Sequence, residues 1–183
     1  LRIGLILHTA AKRQILPMHC DPVPKSDTEL TRPAKNGDTT IFVADATDWK
    51  TRPRGALVVA MGGRPDLSDL PNFEVYPFGN KMTDRSEHEI TLGKPLAADY
   101  PAGTPVRQQR NGPIYLFAPL DGNCAAEWRN FEFVIAPAGK TFRADTFWPG
   151  TATAQLGVIL SSPKGGSGGT VQLKDLKLEV VEQ

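Results

Sequence analysis

The last third of the chain constrains the fold most, because it consists of extended runs separated by glycine- and proline-rich turns. Residues 154–160 alternate between two faces, and residues 164–169 have the composition of a flexible hairpin tip. In the run that ends at Val180, the parity of the apolar residues changes near Lys174 and Asp175. That change predicts a β-bulge or a change of sheet, and the whole stretch predicts a β-sandwich.

Composition favours short strands and argues against several other classes of protein. The 183 residues include 17 glycines and 16 prolines, which suit many turns and disfavour long helices. The 21 basic and 20 acidic side chains nearly balance, and no basic run marks a nucleic-acid surface. No apolar run approaches the roughly 20 residues that span a bilayer. The sequence therefore predicts an all-β protein that binds neither nucleic acid nor a membrane.

The first residues have the pattern of a strand that belongs to a larger structure. Leu1 to Leu7 is too short to hold the three regions of a signal peptide, and the chain does not begin with Met. We therefore expect an excised or processed piece of a longer protein. Cys20 and Cys124 are the only cysteines, and they are compatible either with one long-range disulfide or with two reduced, buried thiols.

A group of short strands follows a turn-rich segment at residues 20–27. Their spacing predicts a small barrel or sandwich in the middle of the chain, and further strands resume after it. The predicted strands of the middle are 39–43, 55–61, 73–76, 89–92 and 104–108, and those after it are 114–117, 131–135, 154–160 and 171–180.

Three features of the second half together resemble a known family. Trp128 opens a run with Phe131 and Phe133, an aliphatic strand follows, and a glycine-rich turn leads into the closing run. This order resembles the C-terminal half of jelly-roll carbohydrate-binding modules of families 4, 9 and 22, which accompany bacterial glycoside hydrolases and polysaccharide lyases. The middle of the chain is similar to small β-rich segments of large secreted bacterial polysaccharide-active and surface proteins.

The resemblance implies a fold, a function and a setting. The fold would be a jelly-roll β-sandwich built from residues 1–27 and 112–183, with residues 28–111 inserted as a small β-barrel or sandwich unit. The function would be non-catalytic binding of a plant or algal polysaccharide, beside a catalytic domain of the same chain, in a secreted or cell-surface bacterial protein. The family's closing strand often holds a structural calcium through an acidic pair, of which Asp175 alone is present here.

Aromatic rings and short polar side chains are the natural candidates for a sugar site, because rings stack on sugar C–H groups and polar groups bind hydroxyls. We expect Trp148, next to a Pro-Gly turn, to present its ring outward, and we consider Tyr115 a second platform. Trp128 is also a candidate, although its apolar neighbours favour the core. The polar candidates are Asn130, Gln155 and Arg143, the last of these for an acidic glycan.

Sequence motifs of catalysis are missing, which favours a binding module over an enzyme. His8, His19 and His88 are scattered, and there is no Gly-x-Ser-x-Gly elbow, His-Glu-x-x-His pair or phosphate-binding loop. Two alternatives stay open: a structural or interaction module, as in a phage tail or on a cell surface, and a fragment of a β-jelly-roll lyase or hydrolase.

Overall fold

The fold is all-β, as the sequence predicts. A computed structural model describes residues 2–51, 56–79, 85–112, 116–117, 127–128, 130, 132–159, 172–175, 177 and 179. Within these ranges the chain forms antiparallel strands and one 3-10 turn at Pro17–His19, with no α-helix. None of the described segments is a helix of the length and apolar character that a bilayer crossing requires.

Nine strands are described, and they form three sheets. In chain order they are β1 Arg2–His8, β2 Thr28–Glu29, β3 Thr40–Phe42, β4 Leu57–Met61, β5 Val75–Pro77, β6 Glu89–Thr91, β7 Pro105–Arg110, β8 Leu116–Phe117 and β9 Thr153–Ile159. The sheets have the orders β8-β1-β9, β2-β7-β4-β5 and β3-β6.

Two isolated bridges join the four-stranded and two-stranded sheets into one closed structure, which we call the strand ring. Leu30, just after β2, pairs with Val43, just after β3, and Phe78, just after β5, pairs with Leu92, just after β6. The resulting order is β4-β5-β6-β3-β2-β7 and back to β4. Because the ring is closed, each of these strands has a paired neighbour on both sides.

Every strand of the ring contributes, directly or through an adjacent residue, to one apolar core inside it. The core alternates with the outward residues along each strand, as the pleat requires. Its buried members are Leu30, Ala34, Ile41, Val43, Ala46, Trp49, Val59, Met61, Tyr76, Ile90, Leu92, Leu96 and Val106.

A second core lies beneath the sheet β8-β1-β9. In β1, Leu5 and Leu7 point to the same face as their partners on β9, Leu156 and Ala154, because directly paired residues share a face. This core consists of Leu5, Leu7, Ile15, Cys20 and Trp148, with Phe73, Ile135, Phe142 and Phe147 packed against it.

The strand ring and the second core are in direct contact. Phe73 precedes β5 in the ring yet packs in the second core, and Met18 packs on the outer residues Val58 and Ala60 of β4. Backbone hydrogen bonds join Asn72 N to His19 O at 2.7 Å and Val23 N to Gln108 O at 2.9 Å. The jelly-roll topology and the assignment of residues 28–111 as an inserted unit stay predictions.

Two predicted strands are wrong over the residues that the structure describes. Residues 132–135 make no strand; their neighbour Ala136 forms only an isolated bridge to Thr146. Residues 172–175 are not a strand either, and Asp175 has a φ of 54°, which breaks an extended chain. The apolar alternation in these stretches is real, but no described strand pairs with them.

Candidate functional site

Trp148, the preferred sugar platform, is fully buried, so the prediction of an outward ring is wrong. Its indole N–H donates to the carbonyl of Arg143 at 3.1 Å, and its ring lies 5.1 Å from that of Phe142. The following turn packs against Pro71: at Gly150, where φ is 75°, an added Cβ would come within 2.5 Å of that proline. The Pro-Gly turn therefore accompanies a buried Trp148 rather than an outward one.

Trp128 shows the opposite outcome, because the structure exposes a residue for which the sequence favours the core. Its side chain is 57% exposed, and the ammonium of Lys174 lies 4.4 Å from the ring centroid. The described residues of the run that follows form no strand, and Val134 is also exposed, so Lys174 lies over the ring while more than half of the indole stays open to solvent. Trp128 is the described aromatic side chain that best fits a solvent-facing platform.

Three of the remaining predicted ligand residues are described, and all three are exposed. Arg143 is exposed and makes a two-point ion pair with Asp145 at 3.0 Å, which raises the pKa of the guanidinium. Asn130 is exposed, and Gln155 is exposed on β9. Tyr115 lies outside the described residues.

The predicted calcium site lacks a ligand set in the part of the chain that the structure describes. Ca²⁺ takes six to eight oxygen ligands. Asp175 is exposed, and no group of three or more His, Cys, Asp or Glu side chains in the described ranges could hold a metal ion. One exposed carboxylate does not make such a site, and calcium binding by the whole chain stays a prediction.

Cys20 is a free, buried thiol, and Cys124 lies outside the described residues. The Cys20 thiol lies 3.5 Å from the carbonyl of Leu16, and burial, together with Asp21, raises its pKa. At Cys20 the structure therefore has the reduced thiol rather than the disulfide.

A cavity of about 510 Å³ opens at one end of the strand ring, and we call it the ring-end cavity. Its lining comes from the loop after β3, from Arg85, four residues before β6, and from Arg110, the last residue of β7. The antiparallel strand order places these three segments at the same end of the ring. It is lined by Thr47, Asp48, Trp49, Lys50, Thr51, Arg85 and Arg110.

The loop that supplies most of this lining is fixed from both sides. The side-chain amide of the buried Gln108 donates to the carbonyl of Lys50 at 2.8 Å and accepts from its N–H at 2.9 Å. The Asp45 carboxylate accepts from the N–H of Thr47 at 2.7 Å, which lowers the pKa of Asp45. The two hydrogen bonds of the Gln108 side chain thus hold the loop against β7 in the way that pairing with a strand would.

Two N–H groups of residues that line the ring-end cavity are buried without a hydrogen-bond partner in the described structure. They are the indole Nε1 of Trp49, whose side chain is 2% exposed, and the guanidinium Nε of Arg85. A buried donor without a partner costs about 1–3 kcal/mol, so each such group in a folded protein needs a physical explanation.

Positive charge predominates in the lining of the cavity. The described lining residues include three cations, Lys50, Arg85 and Arg110, and one carboxylate, that of Asp48. Arg110 is shared with Asp21 outside the lining, where the two side chains are 2.8 Å apart. Burial raises the pKa of Asp21, and the Arg110 guanidinium opposes that shift.

Sequence reasoning missed this cavity because its cationic residues are far apart in the chain. Nothing in the sequence near Arg85 or Arg110 marks a site. The one local indication is Trp49, an aromatic residue flanked by polar and charged residues. Only the closure of the strand ring brings the three segments together.

The fold and these two features define an all-β protein with an exposed indole and a cationic cavity. Comparisons with models of protein families, with curated proteins and with solved structures gave no match.

Proposed function

We propose that this chain is a non-catalytic polysaccharide-binding module of a secreted or cell-surface bacterial protein. The observation that carries the proposal is the exposure of Trp128, whose flat ring is open to solvent beside the charge of Lys174. Rings of this kind bind sugar C–H faces with a large contact area and little loss of side-chain freedom. The ammonium next to the ring favours a glycan that carries negative charge.

The setting of the module is part of the proposal. Its partner would be a glycoside hydrolase or polysaccharide lyase domain in the same protein, as the resemblance to jelly-roll modules implies. Tethering would raise the concentration of the catalytic domain at its polymeric substrate without any new contact between the two domains. The substrate would be a plant or algal glycan.

The test is affinity electrophoresis against neutral and acidic plant and algal polysaccharides. We expect a subset of the glycans to retard the protein, and Trp128→Ala to weaken binding by about tenfold or more, as loss of an aromatic anchor does. Val134→Ala is the matched control, because Val134 is apolar and 58% exposed but offers no ring. Circular dichroism of each variant establishes that the fold is retained.

Two outcomes would contradict the proposal: no retardation of the wild type by any glycan, or equal binding by the Trp128 and Val134 variants. Trp148→Ala is not a test of sugar binding, because removal of a fully buried ring would unfold the second core.

A structural or interaction module is the second candidate, and a different observation favours it. Leu156 and Val158 on β9 lie on the apolar face of their sheet and are 41% and 39% exposed. Exposed apolar residues at a sheet edge fit a packed neighbour. Size-exclusion chromatography of Leu156→Lys/Val158→Lys beside the wild type tests this candidate, which predicts loss of an association that the wild type shows.

A further inference from the structure

We propose that the ring-end cavity is an anion subsite that takes the carboxylate or sulfate group of an acidic glycan. The inference rests on the proposed polysaccharide binding and assigns to it the class of ligand. The cavity lies in a part of the molecule that Trp128 does not contact, so the anion subsite and the Trp128 platform can be tested separately.

The charge of the lining is the first argument. Lys50, Arg85 and Arg110 line one cavity, and Asp48 is the single carboxylate among its described lining residues. Asp21 pairs with Arg110 from outside the lining at 2.8 Å, which leaves three cations against two carboxylates. Bringing like charges together is unfavourable unless a counter-charge occupies the space between them. A carboxylate or sulfate supplies that counter-charge, and its oxygens match the planar fork of a guanidinium.

The donors without partners are the second argument. Arg85 Nε and Trp49 Nε1 are both buried, and neither has an acceptor in the described structure. Arg85 therefore has unused hydrogen-bonding capacity in addition to its charge. An oxyanion offers several lone pairs at once, so a group bound against Arg85 can accept from a donor that no described side chain reaches.

The rigidity of the loop is the third argument. Gln108 fixes the backbone of Lys50 with two hydrogen bonds, Asp45 fixes Thr47, and the N–H of Ala46 donates to the carbonyl of Glu87 at 2.7 Å. A loop held in this way keeps its backbone in place before a ligand arrives, which reduces the ordering cost of binding. Neutral hydroxyls from Thr47 and Thr51 add further hydrogen-bonding groups for the sugar ring.

The chemistry of the lining favours binding over a reaction. Among the described residues that line the cavity there is no His or Cys, and Asp48 is the single carboxylate. Proton transfer in glycan cleavage needs a paired acid and base within a few ångströms of the bond. The ring-end cavity instead offers fixed donors and positive charge.

Isothermal titration calorimetry with three oligosaccharides of equal length tests the inference on the intact chain. The probes are an oligogalacturonate, which carries carboxylates, a carrageenan oligosaccharide, which carries sulfates, and a neutral cello-oligosaccharide. We expect one or both acidic probes to bind at least tenfold more tightly than the neutral one, and the tighter of the two identifies the group. Arg85→Gln should weaken acidic binding about tenfold or more and leave neutral binding unchanged.

The matched control is Lys35→Gln at the opposite end of the strand ring. Lys35 is an exposed cation paired with Asp99 at 3.1 Å, and its removal changes the net charge of the protein as Arg85→Gln does. Equal weakening by both variants would mean that total charge, rather than the cavity, attracts the glycan, and it would overturn the inference.

A structural readout complements the affinities. In ¹H–¹⁵N spectra, the indole N–H resonance of Trp49 should shift on saturation with the acidic probe in the wild type and stay in place in Arg85→Gln. If acidic glycans bind and depend on Trp128 but not on Arg85, the subsite is wrong and the proposed function stands. If none of the three probes and none of the polysaccharides binds, both are wrong.

Discussion

Arg107 and Asp69 form the most deeply buried ion pair in the described structure, with side chains 1% and 10% exposed. Arg107 donates two hydrogen bonds to the Asp69 carboxylate and one to the carbonyl of Arg64 at 3.0 Å. Asn72 also donates to Asp69 at 2.9 Å. This network fixes the loop between β4 and β5 on the outer face of β7.

We predict that Asp69→Asn destabilises the protein by about 3–5 kcal/mol, because it leaves a buried guanidinium without its counter-charge. Urea denaturation followed by circular dichroism measures the change. Asp145→Asn is the control, since Asp145 pairs with Arg143 in an equally good geometry but in solvent. A similar loss in both variants would contradict a special role for the buried pair.

His19 makes the stability depend on pH. Burial, and to a smaller degree the charge of Arg13, lowers the pKa of His19 to about 4 from its ordinary 6.5. Its Nδ1 also accepts a hydrogen bond from the N–H of Leu16 at 3.0 Å, which a protonated ring cannot do. The unfolded chain therefore binds a proton more readily than the folded one between pH 6.5 and 4.

It follows that the contribution of neutral His19 is fully present above about pH 6.5 and is lost as the pH falls toward 4. We predict that the free energy of unfolding drops more between pH 7 and 4.5 in the wild type than in His19→Gln, whose amide oxygen can still accept from Leu16. Asp21 has a raised pKa and contributes in the opposite direction, but equally in both proteins. Parallel pH profiles of the two proteins in urea titrations would refute the prediction.

Among the elements, the joint between β5 and β6 brings two backbones close together at Gly93. A Cβ on Gly93 would come within 2.4 Å of the carbonyl oxygen of Phe78, and the N–H of Gly93 donates to the carbonyl of Pro77. Only a residue without a side chain allows the two backbones to approach this closely.

We predict that Gly93→Ala lowers the free energy of unfolding by about 1–3 kcal/mol, because the joint must open to make room for the methyl group. Gly139→Ala is the control, since the nearest atom to its added Cβ would be 3.9 Å away. Thermal and urea denaturation of the two variants give the comparison. An unchanged midpoint in Gly93→Ala would show that the ring does not depend on this joint.

The strands of the ring could be predicted from local pattern, and the exposure of the tryptophans could not. Runs such as 55–61 and 104–108 carry their own turn signals, and strands β4 and β7 form there. Trp148 is buried and Trp128 is exposed, the reverse of what the sequence favours, because burial depends on the path of a loop. That path is set by contacts such as Gly150 with Pro71, which no short window of sequence contains. The ring-end cavity could not be predicted from the sequence for the same reason.

At the scale of the whole molecule, the strand ring and the second core share residues. Phe73 comes from the ring and packs in the second core, while Met18 and Asp21 come from the other side and contact the ring at Val58 and Arg110. If either the strand ring or the second core unfolded, the other would expose surface that is now buried.

We therefore predict a single cooperative unfolding transition. With 5-fluorotryptophan in place of tryptophan, ¹⁹F spectra report Trp49 in the ring core and Trp148 in the second core separately. Both native signals should disappear at the same urea concentration. Separate midpoints would show that the two cores unfold independently, as distinct domains do.

The chain enters the strand ring on β2 and leaves it on β7, and these two strands are antiparallel neighbours. Thr28 pairs with Val106, and the pairing continues outward to Pro22 and Gln109. A pull on the two flanking segments would act on these backbone hydrogen bonds from their open end, one after another, as in unzipping. The strand ring should therefore yield to tension at a lower force than a sheet that is sheared along its strands.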